Sequence, residues 1–494
     1  MPDSLHYKMF INGIWQDASD AKRFDSINPA TEKPWCSVPE STEEDINRAV
    51  ESAHTAFTSG PWAHLTPTER GKHLRRLAEL LDKKSEHLGR IETIDTGKML
   101  KETRWQAKYI AEFFHFYAGC ADKICGQTLP IDKPDMITLT LREPLGVIAA
   151  VVPWNSQLFL VAVKIGPALA AGNTVVLKAS EHASAAMLEF GKLVEEAGFP
   201  AGVVNIVTGH ADPCGRALTS HPLVQRISFT GGTSAARHVV RNSAENFAQV
   251  SLELGGKSPF IVFDDANIES AVNGSIAGIF GASGQSCVAG SRLYLHNSIA
   301  DEFLDKMLLQ AQTIKLGDPL EDATQMGPLA TYAQIEHVER QVAMAKAEGG
   351  TILTGGDRGD TPDIGWYYPP TIIECPRQTL TIVGTELFGP VLSVLRFDDE
   401  DEVLQMANDS QYGLAAGVFT RDGARALRMT KALRAGIVWV NTYRVVSPIA
   451  EFGGFKDSGY GRESGMQAIY DYTRPKTAWL NISNAPLGNP FVMR

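Results

Sequence analysis

The stretch "GVIAAVVPWN", residues 146–155, decides how this chain folds. It begins with seven small or apolar residues, rich in Val, which predict a strand buried on both faces. Pro153 then removes a backbone donor, so the strand ends just before the polar Asn155. A doubly buried strand with polar residues at its carboxyl end is typical of a parallel sheet whose ligands bind at that edge.

The segments that follow repeat this pattern. "NTVVLKAS" (173–180), "VVNIVTG" (203–209) and "RISFTGG" (226–232) predict three further strands. "HASAAMLEFGKLVEEAG" (182–198) predicts a helix with Gly198 as the C′ residue just past its end. The alternation of strand and helix predicts an α/β fold with a parallel sheet covered on both faces.

A second group of strand candidates begins after Glu253, and helical patterns separate most of its members. These candidates are "SPFIVF" (258–263), "SRLYLH" (291–296), "GPVLSVLRF" (389–397), "LAAGVFT" (414–420) and "AGIVWVN" (435–441). They provide enough material for a second α/β domain, as the length of 494 residues also favours.

Two strand-like segments lie outside both groups. "MITLTLRE" (136–143) alternates apolar and polar residues, and "KTAWLNI" (476–482) lies near the C-terminus. Alternation of this kind suits an antiparallel strand with one wet face. We expect these segments to form an arm that pairs with another subunit; a surface hairpin on the same chain is the alternative.

Composition limits the kinds of partner. A net charge of −11 disfavours nucleic acid and anionic membranes as main partners. The N-terminal "MPDSLHYKMF" has no apolar signal region, and no long uncharged apolar run predicts a membrane span. Six irregularly spaced cysteines predict no disulfide framework, and the absence of CxxC and HExxH motifs predicts no metal site. We therefore expect a cytoplasmic protein.

No GxGxxG motif follows a predicted strand, and "GYGRESG" (459–465) is interpreted as a loop. "FTGGTSAAR" (229–237) instead runs from a strand into two glycines, with Thr233 and Ser234 as candidate helix caps. The N-terminus of that helix can receive a pyrophosphate through its free N–H groups, although many such turns are only structural.

Three polar side chains stand where chemistry is expected. Glu253 lies between two leucines, and burying an unpaired carboxyl is costly. Asn155 at a strand end can offer N–H donors to an oxyanion, or can simply be a turn residue. Cys287, in "GASGQSCVAGSR" (281–292), lies among glycines that let other groups approach the thiol. Most free cysteines are core residues, so each of these three has a structural alternative.

The motifs together resemble the NAD(P)-dependent aldehyde dehydrogenase superfamily. They are PWN (153–155), VLKASE (176–181), FTGG (229–232), LELGGKSP (252–259), GQSC (284–287), ELFGPV (386–391) and FGGFKDSGYGRE (452–463). Their order matches the family, as do the separations of 34 residues from Glu253 to Cys287 and 23 from Asn155 to Lys178.

The resemblance implies a fold and its division into parts. We expect a variant Rossmann cofactor domain over residues 1–122 and 145–254, and a second α/β catalytic domain over 255–456. A β-strand oligomerisation arm is expected over 123–144 and 470–494, in a homodimer or homotetramer.

The resemblance also implies catalytic roles. Cys287 is expected to attack the aldehyde, and the Asn155 amide together with the Cys287 backbone N–H is expected to hold the oxyanion. Hydride transfer to the nicotinamide would leave a thioester, which water activated by Glu253 would hydrolyse to the acid. Lys164 and Glu463 match positions thought to relay protons away from the general base.

The expected cofactor is NAD, with NADP disfavoured because the charge of Glu181 would repel a 2′-phosphate. The expected cofactor residues are Pro153, Trp154, Lys178, Ser180, Glu181, Gly231, Gly232, Thr233, Leu254, Glu386 and Phe388. Gly232 departs from the family, which often carries Ser there to meet a phosphate.

The expected substrate residues are less typical of the family. Ser156 stands where many members carry Phe, and Trp105 and Tyr109 share one face of a predicted helix, where they form either a cavity wall or plain core. Arg444 can pair with a substrate carboxylate. PWNSQ (153–157) and the loop of Arg444 resemble bacterial catabolic members, including those that act on a semialdehyde or hydroxylactone. A CoA-acylating enzyme and a non-catalytic homologue are the alternatives; the former usually lack Glu at the position of Glu253.

Overall fold

The computed structural model describes residues 5–359 and 361–492. The helices are α1 (Glu43–Thr58), α2 (Pro67–Thr96), α3 (Leu100–Cys120), α4 (Gln157–Ala170), α5 (Ala185–Glu196), α6 (Arg216–Ser220), α7 (Thr233–Asn242), α8 (Ile268–Phe280), α9 (Ala300–Gln312), α10 (Tyr332–Ala347), α11 (Thr381–Gly384), α12 (Glu400–Asn408), α13 (Gly423–Ala432) and α14 (Gly465–Asp471).

The strands are β1 (Leu5–His6), β2 (Met9–Ile11), β3 (Ile14–Gln16), β4 (Arg23–Asn28), β5 (Lys33–Pro39), β6 (Thr128–Leu129), β7 (Met136–Pro144), β8 (Val147–Val151), β9 (Thr174–Lys178), β10 (Val204–Val207), β11 (Val224–Thr230), β12 (Gln249–Glu253), β13 (Pro259–Val262), β14 (Arg292–His296), β15 (Thr351–Thr354), β16 (Thr371–Glu374), β17 (Val391–Phe397), β18 (Tyr412–Gly413), β19 (Ala415–Phe419), β20 (Ile437–Val440), β21 (Phe455–Lys456), β22 (Gly459–Tyr460) and β23 (Thr473–Asn481). Every strand that the sequence predicted is present.

The first large sheet has the strand order β22-β12-β11-β8-β9-β10-β2-β3. Its five central strands are parallel. Alternate residues of β8 enter different cores: Ile148 and Ala150 pack towards α2, α3, α4 and α5, whereas Val147 and Ala149 pack towards α1, α6 and α7. Helices therefore cover both faces, as the uninterrupted apolar run of β8 predicts.

The second large sheet has the order β15-β16-β17-β14-β13-β19-β20, and only β15 runs antiparallel to its neighbour. Its β13 shows the same division, because Phe260 and Val262 face α8 and α9, while Ile261 and Phe263 face α10, α12 and α13. The α/β class expected from the sequence is confirmed.

The interpretation of residues 459–465 as a loop is wrong at its start. Gly459 and Tyr460 form β22, which pairs antiparallel with Glu253 and Leu252 of β12. The strand escaped prediction because it is only two residues long and its pairing partner is more than 200 residues away in sequence. This pairing carries the segment that contains Glu463 to the edge of the first sheet.

The two outlying segments pair with each other. β7 and β23 form an antiparallel ladder from Pro144↔Thr473 to Met136↔Asn481, and β6 joins at the other edge of β7. Trp479, Leu480 and Leu141 of this sheet are exposed apolar side chains. In the described part of the chain, no helix combines the length and the apolar character that crossing a bilayer requires.

Asn173 connects three segments at the first sheet by hydrogen bonds. Its Oδ1 accepts hydrogen bonds from the backbone N–H groups of Leu145 (2.7 Å) and Gly146 (3.0 Å). Its Nδ2 donates to the carbonyls of Ala168 (3.0 Å) and Tyr472 (2.9 Å). The side chain is fully buried, so it ties the start of β8 to the end of α4 and to the C-terminal segment.

We expect Asn173→Ala to lower the free energy of unfolding by about 3 kcal/mol or more, because it leaves buried backbone groups without partners. Denaturant unfolding followed by circular dichroism measures the change. Asn246→Ala is the matched control, because Asn246 makes three similar bonds at a less buried site. Equal losses in the two variants would show that burial of the network does not matter.

Candidate active site

A cavity of about 630 Å³ lies where the carboxyl ends of β8, β11 and β12 face loops that flank the second sheet. The expected site residues that line it are Trp105, Tyr109, Pro153, Trp154, Asn155, Ser156, Gly231, Gly232, Glu253, Leu254, Cys287, Glu386, Phe388, Arg444 and Glu463. Residues scattered along most of the chain are therefore brought to one space.

The loop that carries Cys287 lies between α8 and β14 and is fixed by several hydrogen bonds. Ser283 Oγ donates to the Gly327 carbonyl (2.8 Å), and Gln285 Oε1 accepts from the Ala330 N–H (2.9 Å). Tyr443 Oη donates to the carbonyl of Val288 (2.9 Å). The thiol is thus presented by a rigid loop rather than by a mobile one.

The glycines around Cys287 have a different purpose from the one expected. The sequence predicted that they leave room for ligands. Instead, a Cβ on Gly284 would overlap the Gly389 carbonyl, and one on Gly281 would overlap the Arg444 guanidinium. One on Gly290 would crowd Tyr443. These glycines therefore let neighbouring parts of the protein pack against the loop.

The surroundings of Cys287 disfavour its ionised form. Burial raises the pKa of the thiol to about 12, and the carboxylates of Glu386 and Glu253 add to the rise. The positive charge of Arg444 and the Val288 backbone N–H oppose it. The thiol is therefore protonated at neutral pH, and it needs a base to become a nucleophile.

Asn155 follows β8 and is buried. One N–H of its side-chain amide donates to the carbonyl of Gln285 (3.1 Å), two residues before Cys287. An amide nitrogen carries two hydrogens, so one donor is left over. The bond to Gln285 holds that second N–H beside the loop of the thiol, which suits stabilisation of a developing oxyanion.

Glu253 is the last residue of β12 and is 3% exposed. Neither of its carboxyl oxygens has a hydrogen-bond partner in the described part of the chain. Burial raises the pKa of Glu253 well above its ordinary value, and the charge of Glu463 raises it further, while Lys164 and Arg462 lower it. A raised pKa makes this carboxylate a stronger base than an exposed glutamate.

Lys164 and Glu463 form a buried ion pair through Lys164 Nζ and Glu463 Oε1. Lys164 Nζ also donates to Ser228 Oγ (3.1 Å), whose hydroxyl lies 3.3 Å from the same Glu463 oxygen. Glu463 lines the cavity, whereas Lys164 and Ser228 lie behind it. The three side chains form a continuous polar path from the cavity into the first sheet.

Glu386 places a carboxyl at the cavity. Its Oε1 accepts from the Gly256 N–H (2.9 Å), and burial raises its pKa to about 7. A Cβ at Gly255 would overlap the Glu386 carboxyl, so glycine is required there. The Phe388 and Trp154 rings meet edge to face at 5.4 Å.

The N-terminus of α7 suits a pyrophosphate, but the expected caps are wrong. Gly232 is the N-cap residue and Thr233 begins the helix, so neither Thr233 nor Ser234 caps it. Because glycine has no side chain to accept from the first turn, the helix N–H groups remain available to an anion. A Cβ on Gly232 would meet open space, so an approaching group finds no obstacle.

Lys178, Ser180 and Glu181 lie at and just after the end of β9, outside the residues that line the cavity. Lys178 Nζ lies 3.5 Å from a Glu181 carboxylate oxygen. The positive charge of Lys178 helps to hold the pKa of Glu181 below its ordinary value, despite burial that raises it. Glu181 is consequently ionised at neutral pH, and Ser180 Oγ accepts from the His182 N–H (3.3 Å).

The lining of the cavity includes the expected substrate residues. The Trp105 and Tyr109 rings stack at 4.9 Å, and Tyr109 Oη donates to the Val446 carbonyl (2.9 Å). Arg444 Nη1 donates to the Ala277 carbonyl (3.1 Å). Ser156 lies next to Asn155 in this wall.

Several lining residues were not predicted from the sequence. They include Lys101, Glu102, Gln106, Phe159, Leu160, Gln334, Val446 and Phe452. Gln106 could have been suspected because it adjoins Trp105 on the same helix. Gln334 carries no local signal, yet its amide donates to the carbonyls of Leu387 and Phe388 and so holds the Phe388 loop.

Known proteins are similar to this chain. The model of the aldehyde dehydrogenase family matches residues 15–478. The chain is 55% identical over 489 residues, 99% of each chain, to (Z)-2-((N-methylformamido)methylene)-5-hydroxybutyrolactone dehydrogenase of Acinetobacter baylyi. It is 41% identical to hydroxyisobutyraldehyde dehydrogenase of Mycolicibacterium austroafricanum, covering 97% of this chain and 94% of the relative.

Solved structures confirm the aldehyde dehydrogenase-like fold that the sequence predicted. The NAD+ complex of aldehyde dehydrogenase from Bacillus cereus superposes with a TM-score of 0.95 at 42% identity, over 97% of each chain. The fold and the site define an oxidoreductase of the aldehyde group. The chain belongs to the aldehyde dehydrogenase family, and it is an NAD-dependent enzyme.

The electrostatics of Cys287 give a direct prediction. Glu386→Gln removes the carboxylate that raises the Cys287 pKa more than Glu253 does, so the Cys287 pKa should fall. We expect iodoacetamide at pH 9 to modify Cys287 up to about ten-fold faster in the variant, because only the thiolate reacts. Peptide mass spectrometry follows the rate, with exposed Cys125 in the same sample as internal reference. An unchanged ratio of the two rates would contradict the assigned cause.

Proposed function

We propose that the chain oxidises an aldehyde to the carboxylic acid through a thioester on Cys287. The observation that carries the proposal is that Cys287, Asn155 and Glu253 line one cavity together with Glu386. The raised pKa values of Cys287 and Glu253 support the roles, because a protonated thiol needs a base and a buried carboxylate is a strong one.

In the first step, Glu253 takes the thiol proton and Cys287 Sγ bonds to the aldehyde carbon. The carbonyl oxygen becomes an oxyanion, which the free Asn155 N–H and the Cys287 backbone N–H stabilise. Collapse of this adduct expels a hydride and leaves the thioester on Cys287.

NAD, when bound, supplies the acceptor for that hydride. The residues present fit it: Glu386 can accept from a ribose hydroxyl, the free N–H groups after Gly232 can bind the pyrophosphate, and Phe388 and Trp154 frame the intervening space. Gly255 has no Cβ that would collide with the Glu386 carboxyl.

Hydrolysis of the thioester is the second half of the reaction. Glu253 accepts a proton from water, the hydroxide attacks the acyl carbon, and the Cys287 thiolate leaves with the electron pair of the broken C–S bond. Glu463 and Lys164 carry the proton away from Glu253 after each half-reaction, so that Glu253 is ionised again before it accepts a proton from water; their buried ion pair beside the cavity supports this role.

We infer that NAD is preferred over NADP. Lys178, Ser180 and Glu181 would hold the adenine-side ribose, and Thr233 would lie near the pyrophosphate. The ionised Glu181 carboxylate would repel a 2′-phosphate. Its ion pair with Lys178 supports this, since the lysine charge is already compensated.

The substrate class we propose is a short aldehyde that carries a carboxylate or is closed into a hydroxylactone. The name of the Acinetobacter baylyi relative contains a 5-hydroxybutyrolactone, which is the ring-closed form of an aldehyde and a carboxylic acid on one chain. Arg444 at the cavity provides a cation for such a carboxylate. Trp105, Tyr109 and Ser156 complete the substrate wall.

Two alternatives are less well supported. A CoA-acylating enzyme has no use for a buried base that activates water, and Glu253 is present here. A non-catalytic homologue does not need Cys287, Asn155 and Glu253 together at one cavity.

The assembly and location are proposals as well. Exposed Trp479 and Leu480 on β23 support an arm, over residues 123–144 and 470–494, that pairs in a homodimer or homotetramer.

The division into cofactor (1–122, 145–254) and catalytic (255–456) domains is supported by the two large sheets. Six free thiols support a cytoplasmic location.

The role of Glu253 can be tested by measuring the two half-reactions separately. Glu253→Gln keeps the shape and removes the base, which commonly costs a factor of about 10² to 10⁴. We expect stopped-flow mixing with aldehyde and NAD at high pH to give a burst of NADH and then slow turnover, with an acyl mass on the Cys287 peptide. Cys287→Ala is the control and should give neither. Near-normal turnover of Glu253→Gln at neutral pH would refute the base assignment.

The substrate class is tested with Arg444→Leu. We expect the variant to raise KM for carboxylated aldehydes by about ten-fold or more and to leave KM for neutral aldehydes of equal length nearly unchanged, because a charge-assisted bond is lost. NADH formation, with and without CoA, is the assay. Equal effects on both substrate types would assign Arg444 to structure alone.

A further inference from the structure

A buried lysine stands directly behind the substrate wall. The Lys98 side chain is 2% exposed and lies 3.7 Å from the buried Glu92 carboxylate. Its Nζ donates to Gln106 Oε1 (2.6 Å) and to Ser156 Oγ (3.1 Å). Gln106 and Ser156 line the cavity, whereas Lys98 does not. A charged group thus controls two polar side chains that face the substrate space.

The ammonium of Lys98 determines which way these side chains present their hydrogens. An ammonium only donates, so Gln106 Oε1 and Ser156 Oγ must both accept from it. The Gln106 NH₂ group and the Ser156 hydroxyl hydrogen are therefore left to donate elsewhere. In residues 5–359 and 361–492, neither has a bonded acceptor.

The position of Ser156 in its helix supports a role in the cavity. Ser156 is the N-cap residue of α4, and serine is among the best N-caps because its oxygen accepts from the first turn. Here the side chain makes no cap bond and accepts from Lys98 instead. When a residue does not make the cap hydrogen bond that its position favours, a function of its side chain at the same place is indicated.

We propose that Gln106 and Ser156, oriented by Lys98, form a pair of donors that binds a substrate oxygen other than the reacting aldehyde. A carboxylate oxygen or a lactone carbonyl satisfies both donors, whereas an alkyl chain leaves them unpaired in a desolvated cavity. This assignment rests on the proposed function and extends it: Gln106 becomes a specificity-determining residue, and Lys98 a positioning residue.

The test uses three aldehydes of matched length: 4-oxobutanoate, methyl 4-oxobutanoate and butanal. The measured quantity is kcat/KM for each acceptor-bearing aldehyde divided by kcat/KM for butanal. We expect Ser156→Ala to lower both ratios by about ten-fold, mainly through KM, because one donor is lost. Gln106→Glu keeps an acceptor for Lys98 and removes the NH₂ donors, so the ratio for 4-oxobutanoate should fall most.

Lys98→Met tests the positioning role. Without the ammonium, the Gln106 amide can turn over and the Ser156 hydroxyl can rotate, so both ratios should fall. Adding Lys98→Met to the Ser156→Ala, Gln106→Glu double variant should lower the ratios no further, since no donors remain to orient. If loss of the partner of Glu92 prevents folding, Lys98→Arg takes its place, because arginine keeps the charge but cannot reproduce the single-point contacts of Lys98.

Lys101→Gln is the matched control. Lys101 lies on α3, the helix that carries Gln106, and it lines the cavity, but its Nζ donates to the Thr324 carbonyl (2.7 Å). It should change the ratios far less than Ser156→Ala, and a comparable change would overturn the donor pair in favour of general charge attraction. Ratios that stay constant in the Gln106 and Ser156 variants would also overturn it. By contrast, a wild-type enzyme that oxidises butanal but neither of the other two aldehydes would reject the proposed substrate class itself.

Discussion

The buried ion pair between Lys164 and Glu463 is the interaction on which the site depends. It joins Lys164 on α4, which covers the first sheet, to Glu463, which lies 299 residues further along the chain. Breaking such a pair leaves an uncompensated buried charge, which typically costs about 3–5 kcal/mol. The pair therefore fixes the C-terminal segment against the sheet, and the β22–β12 pairing beside it holds Glu253 at the sheet edge.

Burial is the main cause of the raised pKa of Glu253, whose carboxyl has no hydrogen-bond partner in the described residues, and the ion pair modifies that rise. Glu463 raises the Glu253 pKa and Lys164 lowers it, so the ion pair acts on the carboxyl from both directions. The carboxylates of Glu253 and Glu386 in turn raise the pKa of Cys287. A thiol that stays protonated until a base acts is protected from reaction with other electrophiles, because only the thiolate is nucleophilic.

The sequence predicts the sheets well and their outer strands poorly. Buried strands such as β8 carry a continuous apolar run that needs no tertiary information. β22 has two residues and exists only because β12 is there to pair with it. Similarly, Gly281, Gly284 and Gly290 invite the hypothesis that they leave room for ligands beside the thiol, yet their hydrogens face protein atoms that come from distant parts of the chain.

Residues that carry out the chemistry can be predicted from sequence motifs, whereas residues that set the substrate selectivity depend on contacts between distant parts of the chain. Asn155 could be predicted because it belongs to a motif, and its task of stabilising an oxyanion is the same for every aldehyde. Ser156, its neighbour, acts with Lys98 and Gln106, which lie 58 and 50 residues earlier and carry no motif of their own. A buried lysine in a sequence looks like any solvated charge until the structure shows what its ammonium contacts. Substrate preference can therefore change through the polar side chains behind one wall, while Cys287, Asn155 and Glu253 remain as they are.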